Sequence, residues 1–173
     1  MHLEMIETKR LIIKPLSSDE LKKHINSPNE LANDLGLIPS QILIDKETQE
    51  AILNDLLPNI EDSNKDSLFY TMWIVIEKSK KAIVGGICFH GEPNENGEVE
   101  IGYGTDDGYR NQGYMTETIA GMVQWIRCNK DVKIIKAETD NENISSVRVL
   151  EKNGFKICQR NDNSVILGLE LKQ

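Results

Sequence analysis

Paired cysteines are missing from this 173-residue chain: its three, Cys88, Cys128 and Cys158, are scattered and form no CxxC pair. An odd, dispersed set excludes a disulfide framework and implies reduced thiols in a cytosol, expected as small buried hydrophobes. Long apolar runs are also missing. Nothing approaches the ~20 apolar residues needed to cross a bilayer, and Met1-His2-Leu3-Glu4-Met5-Ile6-Glu7 has neither a basic opening nor a long apolar core. Secretion and membrane spanning are therefore not expected, and a cytoplasmic protein is. Basic charge is scarce: 20 Lys and Arg against 28 Asp and Glu leave a net −8. Such a surface opposes nucleic-acid binding and attracts amine-bearing substrates, unless it serves only solubility. His2 and His24 have no companions at ligand spacing, so no metal is expected. There is no internal repeat or low-complexity linker, and the length suits one domain over 1–173 that buries about two thirds of its unfolded surface.

What is present is a succession of short periodic segments. Arg10 to Leu16 reads as a strand, and Ser17-Ser18-Asp19-Glu20-Leu21 as a capped helix start. Asn26 to Ser40, with Pro28, Gly36 and Pro39, reads as a loop with at most short helical pieces. Ile44 to Leu57 has helical spacing and is expected to stop before Pro58. Ser67 to Glu77 and Lys81 to His90 are apolar strands around a Lys78-Ser79-Lys80 turn, and Glu98 to Thr105 completes an antiparallel meander. A long helix, a strand over Val132 to Ala137, a short helix, and strands over Phe155 to Gln159 and Ser164 to Leu171 follow. This order defines an α+β fold with a mixed sheet.

The run Tyr109-Arg110-Asn111-Gln112-Gly113-Tyr114-Met115-Thr116-Glu117 places a polar turn between a strand and the long helix, whose Met115, Ile119, Met122, Val123 and Ile126 recur at helical spacing. A helix start carries unpaired N–H groups and partial positive charge, so it favours an anion, and Gly113 lets the backbone come close. The alternative is a plain turn capped by Thr116 or Asn111. A second stretch, Asn143 to Phe155, reads as a polar loop, a short helix with an Asn or Ser cap, and a Gly stop before an aromatic.

Together these stretches resemble the GNAT superfamily of acyl-coenzyme A N-acyltransferases, and within it the RimJ/RimL-like branch of ribosomal-protein-alanine acetyltransferase-like proteins. Arg110 and Gly113, with Met115 an imperfect third match, follow the superfamily's pyrophosphate motif, and Gly113-Tyr114-Met115-Thr116-Glu117 follows the branch's wording. Asn143, Ser146, Val149, Leu150, Glu151, Lys152, Gly154 and Phe155 match the second signature, and Thr8 to Leu16 looks like the branch's first strand.

The resemblance implies a mostly antiparallel sheet flanked by helices, with acetyl-CoA held between splayed strands, here Glu98 to Thr105 and Val132 to Ala137. It implies backbone contacts to the pantetheine arm from Tyr103, Gly104 and Thr105. A pyrophosphate cradle at Arg110, Asn111, Gln112, Gly113 and Tyr114, with Met115 and Thr116 nearby, is implied too, and so is a pantetheine contact from Asn143. Ser146 would face the thioester sulfur, and a strand bulge near Tyr103 would offer an N–H to the oxyanion. The early helices would flank the acceptor site.

Amine acetylation needs a proton acceptor and a proton donor. Glu100 is a candidate base, or else an exposed carboxylate without a role. The Tyr that many members use as acid is replaced by Leu150, which leaves Ser146 as the candidate acid, or as a cofactor or helix ligand only. His90 is a lone His at a strand end, read as a surface residue or a base, and Trp73 as core or an acceptor-pocket wall. The implied function is acetyl-CoA-dependent N-acetyltransfer to a primary amine, on a protein N-terminus or a small molecule. The alternative is a non-catalytic acyl-CoA-binding or regulatory module. Similar proteins are commonly dimers, so a homodimer is compatible with the resemblance.

Overall fold

The computed structural model describes residues 5–39 and 44–172; His2 and Ser40 lie outside them. Among the described residues, eight strands form one sheet: β1 (Ile6–Glu7), β2 (Leu11–Pro15), β3 (Met72–Glu77), β4 (Ala82–Phe89), β5 (Glu98–Thr105), β6 (Ile134–Asp140), β7 (Lys156–Arg160) and β8 (Ser164–Glu170). The spatial order is β1-β2-β3-β4-β5-β6-β8-β7. Every neighbouring pair is antiparallel except β5 and β6. The α+β fold expected from the sequence is thus the one adopted.

The helices start where the side chains dictate. Ser17 accepts from the Glu20 N–H while Glu20 accepts from the Ser17 N–H, a reciprocal capping box that opens α1 (Ser18–Asn26). Pro28 sits in the first turn of α2 (Pro28–Asp34), so part of the expected loop is a two-turn helix. Asp45 caps α3 (Lys46–Ala51), which runs through a π-helical turn at Ile52–Leu56 into α4 (Leu57–Ile60). The expected stop before Pro58 does not occur. The bond from the Leu57 N–H to the Ile52 carbonyl spans five residues, and such a widened turn relieves the clash that a proline ring makes with the carbonyl four residues back.

The long helix α5 (Tyr114–Ile126) buries Met115, Ile119, Met122, Val123 and Ile126, as their spacing implied, and also Tyr114 and Thr118. It packs with α6 (Ile144–Lys152) over the main core, which contains Trp73, Phe69, Phe89 and Val99. Trp73 is fully buried, its indole N–H donating to the Leu68 carbonyl at 3.0 Å, and is therefore core. A second apolar cluster, with Leu16, Leu21, Leu31, Ile52 and Leu56, packs on Ile74 and Ile76 of β3. One sheet face thus carries α5 and α6, and the other carries α1 to α4. Cys128 and Cys158 are exposed, contrary to expectation. Cys128 lies just beyond α5, and Cys158 on β7, an edge strand exposed along its whole length. No helix of the described residues is long and apolar enough to cross a membrane.

Candidate functional site

The sheet is split at β5 and β6. Parallel pairing joins Glu98 to Ile134, Val99 to Ile135 and Glu100 to Lys136, and then ceases. Beyond that vertex β5 follows β4, from Ile101 opposite Phe89 to Thr105 opposite Gly85, while β6 follows β8. A V-shaped gap opens between Ile101–Thr105 and Ala137–Asp140.

The backbone on the gap's edge follows from register. The His90 N–H donates to the Glu100 carbonyl at 2.9 Å, so Glu100, Gly102 and Gly104 turn their main-chain groups to β4. Ile101, Tyr103 and Thr105 turn theirs to the gap. Of the three residues expected to offer backbone contacts, Tyr103 and Thr105 turn their main-chain groups toward the gap, while those of Gly104 face β4. The β4–β5 register runs unbroken through Tyr103. The opening comes from divergence of β6, and no bulge interrupts that pairing.

At the open end of β5 the chain passes through a 3-10 turn at Asp107–Tyr109 into α5. Asn111 and Gly113 both lie in the left-handed region, at φ 60° and 77°. Gly113 is the helix's N-cap and no side chain caps the turn, so neither Thr116 nor Asn111 takes the capping role. Uncapped first-turn amides behind left-handed residues form an anion-receptive concavity. The side chains of Tyr114 and Met115 are buried. Thr116 is half-buried, and its carbonyl accepts from Asn153 of the α6 C-cap at 3.2 Å.

Positive charge reaches this loop mainly from elsewhere in the chain. Arg110 is exposed and ion-paired with Asp107 at 2.8 Å, its Nε 3.4 Å from the Thr105 carbonyl. Arg10 donates through Nη1 to the Gln112 carbonyl at 2.9 Å and lies 4.7 Å from the Tyr114 ring centroid. Its Nε and main-chain N–H both donate to Glu117, at 2.7 and 2.8 Å, and the Thr8 hydroxyl joins at 2.7 Å. Lys80 donates to Gln112 Oε1 at 3.3 Å and to the Tyr114 hydroxyl, and lies 5.0 Å from the Tyr114 ring centroid. Sequence reasoning missed Arg10 and Lys80, since folding alone brings them to the loop.

Two polar pairs flank the vertex, one on each face. On the α6 face, the Tyr103 hydroxyl lies 2.8 Å from Ser146 Oγ, joining β5 to the first turn of α6. Burial raises the Tyr103 pKa above its ordinary value, with the Ser146 hydrogen bond opposing. Asn143 caps α6, its Oδ1 accepting from the Ser146 N–H at 3.1 Å. Leu150 is fully buried.

On the opposite face His90 Nδ1 lies 3.0 Å from Glu100 Oε1. A Cβ on Gly102 would stand 2.7 Å from His90 Nε2, so the imidazole occupies the space over that glycine. Lys136, opposite Glu100 in the register, pairs with Glu98 at 2.8 Å, which leaves Glu100 to the histidine. Cys88 shares this face, where burial, with a smaller contribution from the Asp55 charge, pushes its thiol up to about 11. Because Met72 pairs with Cys88, and Cys88 with Gly102, the face is continuous with the one that α1 to α4 cover.

A split sheet with an uncapped, cation-supported helix start at its open end is the architecture of an acetyltransferase. Residues 10–156 match the acetyltransferase (GNAT) domain, and the chain belongs to that family as an N-acetyltransferase. It is 29% identical to the uncharacterized N-acetyltransferase YjdG of Bacillus subtilis strain 168, over 87% of this chain and 89% of that protein. Among solved structures, the ribosomal-protein-S5-alanine acetyltransferase from Vibrio fischeri superposes with a TM-score of 0.68 at 16% identity, covering 98% of this chain and 97% of that one. RimL, a ribosomal L7/L12 alpha-N-protein acetyltransferase solved in complex with coenzyme A, gives 0.67 at 13% identity, covering 97% and 98%. At these identities the two structures establish the shared fold.

Proposed function

We propose that the protein transfers the acetyl group of acetyl-CoA to a primary amine by direct attack, with the donor in the β5–β6 gap and the acceptor on the His90–Glu100 face. The observation that carries this reading is the end of β5–β6 pairing at Glu100–Lys136, which exposes the main-chain groups of Ile101, Tyr103 and Thr105. An amide-bearing arm pairs with such an edge as an added strand does. The residues fit this cosubstrate: the amides of residues 113–116 and the charges of Arg10, Lys80 and Arg110 would receive the pyrophosphate, with Asn111 and Gln112 shaping the loop. Asn143 would contribute to the pantetheine site from the α6 cap. The cosubstrate supplies an activated acyl carbon.

The carboxylate of Glu100 only accepts, so the neutral imidazole of His90 carries its proton on Nδ1 and presents Nε2 as the base. In this reading His90 accepts the amine's proton and Glu100 orients it, a refinement of the direct role expected for Glu100. The raised thiol pKa at Cys88 disfavours an acetyl-cysteine relay and supports direct transfer. The structural neighbours that act on ribosomal proteins favour a protein N-terminus as acceptor over a small-molecule amine.

The test is release of free CoA from acetyl-CoA in the presence of peptide N-termini, polyamines and aminoglycosides. Acceptor-dependent release is expected, and His90→Gln should lower kcat about 100-fold, within the range of general-base catalysis. Tight CoA binding without release by any acceptor would instead establish the non-catalytic module that loss of a tyrosine at Leu150 suggests.

A further inference from the structure

The leaving thiolate needs a proton, and the family's usual tyrosine position, Leu150, is a fully buried side chain with no polar atom. We infer that the proton comes instead from Tyr103, a residue of strand β5, with Ser146 of α6 as its relay to solvent. This inference rests on the acetyl-transfer reading above.

Three observations place the hydroxyl. Tyr103 follows Val99 and Ile101 at alternate positions of β5, so its ring points to the α5–α6 face and packs against the main core. Its hydroxyl meets Ser146 Oγ at 2.8 Å and lies 3.4 Å from the Ser146 carbonyl. That pair spans the gap, because β5 has parted from β6 before Tyr103 while α6 is the element that follows β6.

The direction of the donor arm follows as well. Its anionic end belongs at the loop after Thr105, and the vertex lies at Glu100, about five residues or roughly 17 Å back along the strand. The acyl end therefore lies toward the vertex, between Tyr103 and Ser146 on one face and His90 and Glu100 on the other.

Each group then has one task. The amine nitrogen bonds to the acyl carbon and loses its proton to His90 Nε2. As the carbon–sulfur bond breaks, the electron pair stays on sulfur and takes the proton of the Tyr103 hydroxyl. Tyr103 regains a proton through Ser146 from solvent, and His90 returns its own to solvent, so charge and protons balance over a cycle. A phenol is protonated at neutral pH and burial moves that of Tyr103 further in the same direction, whereas a serine hydroxyl is a far weaker acid and suits a relay.

The test compares the unsubstituted protein with Tyr103→Phe and Ser146→Ala in turnover and in calorimetric binding of CoA and desulfo-CoA. Tyr103→Phe should lower kcat roughly 100-fold with KM for acetyl-CoA within about twofold, and Ser146→Ala should lower it about 10-fold. Preference for CoA over desulfo-CoA, expected to be about threefold, should vanish in Tyr103→Phe. A merely structural tie between β5 and α6 would lower the melting temperature and raise KM while leaving that preference intact, which overturns the inference. Unchanged kcat in Tyr103→Phe also overturns it. If the unsubstituted protein binds CoA but no acceptor releases thiol, the transfer reading itself fails and the proton donor falls with it.

Discussion

His24 lies in the last turn of α1, which packs against α2 and α4, and its Nδ1 is buried without a hydrogen-bond partner among the described residues. Burial pushes its pKa down to about 4, from an ordinary 6.5. The unfolded chain therefore binds the proton more readily than the folded one, and the fold loses stability as pH falls from about 6.5 toward 4. At pH 5 the loss reaches about 2 kcal/mol of the roughly 3 kcal/mol available in full. For a chain of this length that is ~4–8 °C in melting temperature. Asp106 acts in the opposite sense: burial first, then the Asp107 charge, push its carboxyl up to about 6 against the pull of Arg110, so it gains stability over part of the same range. The experiment must therefore be a difference. Denaturant unfolding of the unsubstituted protein and of His24→Leu, at pH 7 and pH 5, cancels Asp106 and every other shared group. The variant should equal or exceed the parent at pH 7, since it removes an unsatisfied nitrogen, and should lose about 2 kcal/mol less on going to pH 5. Equal losses in the two proteins would refute the assignment of a neutral, buried His24.

Two further outcomes concern the helix start. Burial pulls the Glu117 carboxyl upward, yet hydrogen bonds from Arg10 and Thr8 and the Arg10 charge hold it below the usual range. Glu117→Gln keeps the shape but sets an amide against these donors, so stability should fall by about 2 kcal/mol and CoA affinity should fall with it; a zero coupling energy between Arg10 and Glu117 in a double-mutant cycle would contradict this. Gly113→Ala places a Cβ 3.4 Å from Arg10 Nη2 at a φ of +77°, whereas a Cβ on Gly108 meets nothing within 4 Å. The first change should cost about 1 kcal/mol and weaken CoA binding, the second should do neither, and identical calorimetric titrations for the two variants would remove the loop from the binding site.

Local chemistry made much of this legible. The Ser17–Glu20 capping box, the meander ending at Thr105 and the apolar stripe of α5 all rest on neighbouring residues, and the structure reproduces them. Elements governed by distant packing were not readable in the same way. The helical path through Pro58 depends on a π turn, β1 is only two residues long, and β6 begins at Ile134 rather than Val132 because Val132 is still within the turn closed by Asn129. The site divides similarly. The turn at Gly113 and the Asn143–Ser146 cap are contiguous motifs. Arg10, Lys80 and the His90–Glu100 pair come together only through strand register, and no spacing in the chain announces them.

In the proposed mechanism, strand β5 stands between the two proton-transfer groups, carrying Tyr103 itself and, on its other face, the Glu100 that holds His90. In a strand, successive side chains face opposite sides, so residues separated by an odd number of positions lie on different faces. Glu100 and Tyr103 are three apart, and the strand puts Glu100 beside His90 and Tyr103 beside Ser146. Gly102 between them is small enough for the imidazole to lie across it. A base and an acid on opposite sides of one strand suit a transfer in which the nucleophile enters from one face and the leaving sulfur is protonated from the other. Under the proposed mechanism an acid on α6 at Leu150 is unnecessary, since the strand's alternation supplies the Tyr103 hydroxyl, and Leu150 packs in the core.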